Sequence, residues 1–184
     1  SGAGHRPTLG GLTLSAERSI LWAGWRHRYF ESGRSRGDRS VFSEILQSGR
    51  PDDDTLIVRR GTECFAIMNL HPYSGGHLMV LPYREVAEPA HLTPSESAEL
   101  WAMVTQAIDV LRTSLGAVGV NVGMNLGPAA GGSVPEHLHV HVVPRWSGDV
   151  NFLGATADTR VVPEALDVTA ARIRSAWVDR TASA

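Results

Sequence analysis

Apolar positions along this 184-residue chain change period several times, and each change marks an element. Residues 14–30 carry Ile20, Leu21, Trp22, Trp25, Tyr29 and Phe30 at roughly helical spacing, which predicts an N-terminal helical arm. Residues 32–37 are polar and glycine-bearing, as in a loop. Val41, Phe42, Ile45 and Leu46 predict a short helix, and Arg50-Pro51-Asp52-Asp53-Asp54 a turn. The period then shortens. Three strands are expected over 55–60, 63–70 and 77–82, with a hairpin-like break at Gly61-Thr62.

A long helix follows. Thr93 can cap, Pro94 fits the first helical position, and Glu96 stands three residues after the cap. Leu100, Met103, Val104, Ala107, Ile108, Leu111 and Leu115 form its buried stripe, and Gly116 stops it. Glu99, Asp109 and Arg112 are read as solvated charges on its outer face. Two more strands are expected over 118–125 and 137–144. A last helix over 163–179 has the stripe Leu166, Ala170, Ile173 and Trp177. Its tryptophan and those of the N-terminal arm suit either contact with another subunit or folding back onto the domain. The order of elements favours an α+β domain with a mainly antiparallel, five-stranded sheet, a long helix on it and helical arms at both ends. The expected division is a tail and arm over 1–37, the domain over 38–152, and a C-terminal extension over 153–184.

Composition narrows the function classes. Lys and Arg number 17 against 19 Asp and Glu, a net charge of −2, so no nucleic acid polymer is expected as partner. No apolar run reaches the length of a membrane span and no secretory pattern is seen, so the expected compartment is the cytoplasm. A single cysteine, Cys64, excludes a disulfide framework and a cysteine-cluster zinc site within this sequence.

The chemistry concentrates in His137-Leu138-His139-Val140-His141-Val142-Val143-Pro144. In an extended chain His137, His139 and His141 share one face, and Leu138, Val140 and Val142 face a core. A neutral imidazole can attack phosphorus if its second nitrogen is held by an acceptor. Donors must then meet the charge on the phosphoryl oxygens. Gly131, Gly132 and Ser133 can form an anion nest, Asn125 adds a carboxamide, and His137 and His141 can donate if protonated. Zinc is the alternative, since two histidines two apart on a strand can share one ion. His137 and His141 are about 13 Å apart in a straight strand, so all three on one ion is difficult.

His-Leu-His-Val-His-Val-Val resembles the signature of the histidine triad family of nucleotide hydrolases and transferases. The likeness runs from Val41 to Phe152 and includes Phe65-Ala66-Ile67-Met68-Asn69-Leu70, Gly75-Gly76-His77-Leu78-Met79-Val80-Leu81-Pro82 and Asn125-Leu126-Gly127. Gly131-Gly132-Ser133, Glu136-His137 and the run from Pro144 through Asp149 to Phe152 are similar to its actinobacterial diadenosine tetraphosphate phosphorylase branch, as is the aromatic arm around Trp22 and Tyr29.

The resemblance implies a histidine triad fold and a role for each matching residue. His139 is the nucleophile, with the His137 carbonyl holding its far nitrogen. His141 and His77 complete a polar network. Asn69 takes the ribose. Val41, Phe42, Ile45, Ile67 and Leu70 wall the base. Asn125, Gly132 and Ser133 take phosphate. Many relatives carry a Cys-x-x-Cys pair that helps bind zinc; Ser40 and Ser43 stand at the matching positions, so no metal site is expected. One extra residue between Ser133 and His137 weakens transfer of phosphate contacts from the smaller relatives. Glu136 suits an acid-base or repulsive group near the leaving phosphate, and suits better a solvent-facing loop carboxylate. Arg145 and Trp146 suit either the second half of a substrate or a partner subunit.

The implied reaction cleaves diadenosine tetraphosphate with inorganic phosphate to ADP and ATP through a nucleotidyl-histidine. No cofactor obligatory to the protein is expected, Mg²⁺ being a companion of the substrate. The implied assembly is a homodimer or homotetramer. The alternatives are a hydrolase or phosphoramidase of the same family, a metal-dependent histidine enzyme, and a non-catalytic nucleotide-binding regulatory module.

Overall fold

The computed structural model describes residues 39–149 and 164–181. The arm expected over 14–30 and the loop over 32–37 lie outside them. The chain forms α1 (Val41–Gln47), α2 (Asp52–Thr55), β1 (Ile57–Arg60), β2 (Cys64–Met68), β3 (Leu78–Pro82), α3 (Pro94–Leu115), β4 (Gly119–Gly123), β5 (Val140–Arg145) and α4 (Leu166–Thr181), with 3₁₀ turns at Pro89–His91 and Pro128–Ala130. The expected turn at residues 50–54 thus closes as one helical turn, α2.

The sheet has five strands in the order β1-β2-β3-β5-β4, with every pairing antiparallel. Residue parity then assigns two faces. Cys64, Ala66 and Met68 of β2, Leu78 and Val80 of β3, and Val140 and Val142 of β5 meet the long helix in one core. Phe65 and Ile67, with Met79 and Leu81, face the other way and pack with Phe42 and Ile57.

α3 begins with the expected reciprocal cap. Thr93 accepts from the Glu96 N–H while Glu96 accepts from the Thr93 N–H. It ends at Gly116, whose φ of 66° is the left-handed stop that glycine takes without steric penalty. Leu100, Met103, Val104, Ala107, Val110 and Leu111 are its buried side. Glu99 departs from its expected role as a solvated charge. Its carboxylate accepts from the backbone N–H groups of Thr62 and Glu63, each at 2.7 Å, and closes the β1–β2 turn. A Cβ on Gly61 would lie 1.9 Å from Glu99 Oε1, so a larger residue there would push this carboxylate aside.

α4 folds back on α3 and β1. Ala170, Ile173 and Trp177 are buried there, and the Trp177 indole donates to Gln106 at 3.1 Å. This tryptophan is therefore a core residue of its own domain and is not presented to another subunit.

Candidate active site

The histidine run lies on the sheet face opposite α3. β5 begins only at Val140, so His137 and His139 occupy a lead-in outside the ladder, with a bend at His137, where a strand from residue 137 was expected. Alternation survives all the same: Leu138, Val140 and Val142 enter the helix-side core.

His139 Nδ1 lies 2.8 Å from the His137 carbonyl. A carbonyl only accepts, so Nδ1 carries the proton and Nε2 the lone pair. No buried side-chain nitrogen or oxygen among the described residues lacks a partner, and Nε2 has no hydrogen bond, so Nε2 opens onto the cavity the ring lines. Burial holds the His139 pKa below the ordinary histidine value, against the lift from its bond to the His137 carbonyl, so the ring is neutral at pH 7.

A second network sits beside it. The Tyr73 N–H donates to His77 Nδ1 at 3.1 Å, which leaves His77 Nε2 as the N–H. That group lies 3.0 Å from His141 Nδ1, so His141 accepts there and carries its own proton on Nε2. The Asn125 amide nitrogen lies 3.3 Å from His141 Nε2. Both are donors, and a half-turn of the carboxamide brings its oxygen to this N–H. Burial, reinforced by His139, pulls the His141 pKa down to about 4. His141 therefore offers an N–H as a neutral ring, without the protonation that the sequence reading invoked. Asn69 fits the same network: its oxygen accepts from the His71 N–H at 2.9 Å and its nitrogen lies 3.3 Å from His77 Nδ1.

His137 is fully buried and does not line the cavity. Nε2 lies 2.9 Å from the Pro82 carbonyl and Nδ1 2.7 Å from Ser40 Oγ. Its ring therefore cannot donate to phosphate, which corrects that expectation, and its contribution to the site is the backbone carbonyl. Zinc does not suit these donors. Ser40 and Ser43 offer hydroxyls in place of thiolates, and both His137 nitrogens are engaged.

The cavity is about 840 Å³. Val41, Phe42, Ile45, Ile67 and Leu70, the residues named for the base, are among its lining. Asn69, Asn125, Gly132, Ser133, His139 and His141 are its polar lining. His77 lies behind His141, fully buried. The turn at residues 128–133 passes from a 3₁₀ turn into Gly131 at φ 79°, a right-then-left sequence that lets successive N–H groups converge on an anion. A Cβ on Gly132 would press on Asn125 Cβ at 3.2 Å.

Sequence reasoning missed several neighbours. His71 and Tyr73 also line the cavity, and the Tyr73 ring lies 4.8 Å from His77 and 5.9 Å from His141. Their only signal was proximity to Asn69. Leu56 lines it in a left-handed conformation, φ 63°. Arg145 and Trp146 do not line it. Arg145 pairs with Asp149 and donates to Asn121, and the Trp146 indole donates to the Leu115 carbonyl. Glu136 is half-buried and also off the cavity wall, close enough to favour protonation of His137 and His139. Cys64 is fully buried, and burial with nearby Glu99 pushes its thiol up to about 12, so it supplies no thiolate.

The chain is similar to known proteins in sequence and in fold. The HIT domain matches residues 50–148. An AP-4-A phosphorylase of Mycobacterium tuberculosis is 43% identical over 164 residues, 85% of this chain and 83% of that protein. An asymmetrical bis(5'-nucleosyl)-tetraphosphatase of Schizosaccharomyces pombe is 39% identical over 46% of each chain. A zinc-bound histidine triad family protein of Mycobacterium smegmatis superposes with a TM-score of 0.64 at 25% identity, over 78% of this chain and 96% of the other.

Proposed function

This chain belongs to the HIT family, and from that membership and the site above we propose that it is a nucleotidyltransferase that cleaves diadenosine tetraphosphate with inorganic phosphate to ADP and ATP. One observation carries the reading: a neutral imidazole with its far nitrogen bonded at 2.8 Å and its near nitrogen open to a large cavity, beside neutral donors.

His139 Nε2 attacks the α-phosphorus, and the bond to the bridging oxygen breaks to release ATP. As the N–P bond forms, positive charge spreads over the ring, and the His137 carbonyl stabilises it through Nδ1–H. The Asn125 amide N–H, Ser133 and the Gly132 backbone are the donors for the phosphoryl oxygens, joined by His141 Nε2–H as it exchanges the Asn125 oxygen for a phosphoryl oxygen. A phosphate oxygen then attacks the same phosphorus, the N–P bond breaks, and ADP leaves. Two in-line displacements retain configuration. Apolar residues 41, 42, 45, 67 and 70 hold the base and Asn69 the ribose. Mg²⁺ would enter with the polyphosphate and neutralise part of its charge. Assembly as a homodimer or homotetramer belongs to the same proposal. No helix among the described residues is long and apolar enough to cross a membrane.

The similarity to the mycobacterial phosphorylase supports phosphate as acceptor. Incubating the dinucleotide with and without phosphate tests it: ADP and ATP, formed only with phosphate, are expected, whereas AMP and ATP would mean hydrolysis. His139→Ala is expected to abolish turnover and the covalent adduct while the protein stays folded. Near-normal turnover by that variant would refute the assignment.

A further inference from the structure

Behind the nucleophile lies a polar chain, buried at Ser40, Ser43 and His137 and part-buried at Glu85, that the reaction as described does not use. Glu85 Oε2 accepts from Ser43 Oγ at 2.5 Å and from the Ser40 N–H at 3.0 Å. Ser40 is fully buried and caps α1, its Oγ accepting from the Ser43 N–H at 3.1 Å. The same Oγ lies 2.7 Å from His137 Nδ1.

Proton positions follow from what each group can do. The Pro82 carbonyl only accepts, so His137 Nε2 carries the hydrogen. The charged groups facing His137 are Glu85 and Glu136; both favour its protonation, yet burial outweighs them and keeps the ring neutral. Nδ1 is then a lone pair, and the Ser40 hydroxyl donates to it. The Ser43 hydroxyl donates to Glu85. The 3.1 Å approach between the two hydroxyl oxygens carries no proton in this state.

We propose that Glu85, Ser43 and Ser40 form a positioning chain that locks His137 and, through the His137 carbonyl, the reactive tautomer and aim of His139. The proposal rests on the functional reading above. Its physical basis is the missing ladder. β5 pairing starts at Val140, so no strand partner orients the His137 carbonyl. What holds the lead-in is the Leu138 N–H to the Val86 carbonyl at 2.6 Å and the two bonds to the His137 ring. Ser40 also opens the helix carrying Phe42, whose ring meets His137 edge-on at 5.6 Å and lies 5.7 Å from His139. The chain thus ties the base wall to the nucleophile.

The test uses the whole protein with Ser40→Ala, Glu85→Ala and Glu85→Gln. Readouts are steady-state kinetics with diadenosine tetraphosphate and phosphate, thermal unfolding, and ¹⁵N NMR of labelled histidines without substrate. Ser40→Ala is expected to lose about 10- to 100-fold in kcat with KM within about twofold, as for a misaligned reacting group. The His139 nitrogens should report a mixture of tautomers in place of a single Nδ1–H form. Glu85→Ala should show a smaller loss of the same kind. Glu85→Gln, which keeps the accepting oxygen, should restore most of the rate. If Ser40→Ala fails to fold, Glu85→Ala, at a less buried position, carries the test. Folded Ser40→Ala or Glu85→Ala with unchanged kcat and an unchanged His139 tautomer would overturn the proposal. The tautomer measurement needs no substrate, so it separates failure of the chain from failure of the functional reading.

Discussion

Arg174 on α4 should control substrate affinity although it does not line the cavity. Its Nε–H donates to the Ile57 carbonyl at 2.8 Å and an Nη to the Asp52 carbonyl at 3.2 Å, and it pairs with Asp53. These anchors flank Leu56, the cavity-wall residue at φ 63°. A hydrogen bond from a charged donor contributes about 1.5–3 kcal/mol. The second bond is long, and Asp53 is 82% exposed, so its ion pair adds little. Arg174→Ala should therefore destabilise by about 2–3 kcal/mol and lower Tm by about 4–12 °C for a chain of this size. Left-handed leucine stores about 1–2 kcal/mol, which relaxes once the anchors go. A substrate must then restore the wall, so KM should rise about 5- to 30-fold. kcat should stay within about twofold, since the bonds that hold His139 and His141 lie elsewhere. The assay is KM and kcat for phosphorolysis beside calorimetric Tm. A variant that loses the expected stability but keeps its KM would refute the link between α4 and the pocket.

Acid should weaken both stability and rate. The pKa values of His137, His139 and His141 are lowered by burial, that of His141 to about 4, so the unfolded chain binds more protons below about pH 6.5. Stability present above that pH is lost as pH falls from about 6.5 toward 4, and the lowered Glu85 and Glu96 pKa values add losses in the same direction below about 4.5. Urea titrations across this range should show the decline, and the acid limb of kcat/KM should lie below the ordinary histidine pKa; a flat stability profile or a limb above pH 7 would contradict it. Thr93→Ala should remove the α3 cap, destabilise by about 1 kcal/mol and leave kinetics unchanged, as checked by Tm and turnover. A change in KM there would mean that helix fraying reaches the pocket.

The patterns legible in the chain were those that covalent geometry imposes. Extended backbone alternates faces, so His139 and His141 had to oppose Leu138, Val140 and Val142 wherever the strand began. Thr93, Pro94 and Glu96 prescribe a helix start because capping acts within one turn. Residues 41, 42, 45, 67 and 70 could be named together only through the family likeness, and all five are in the cavity lining. What the tertiary structure alone decided is where polar side chains find partners. Glu99 reads as a solvated helix charge until the sheet brings the Thr62 and Glu63 N–H groups to it. His77 and His141 meet because Leu78 pairs with Val142, and Ser40 reaches His137 across 97 positions of sequence. Residue periodicity carries no record of a hydrogen-bond partner. That choice belongs to strand order and to the burial that forbids an unpaired polar group.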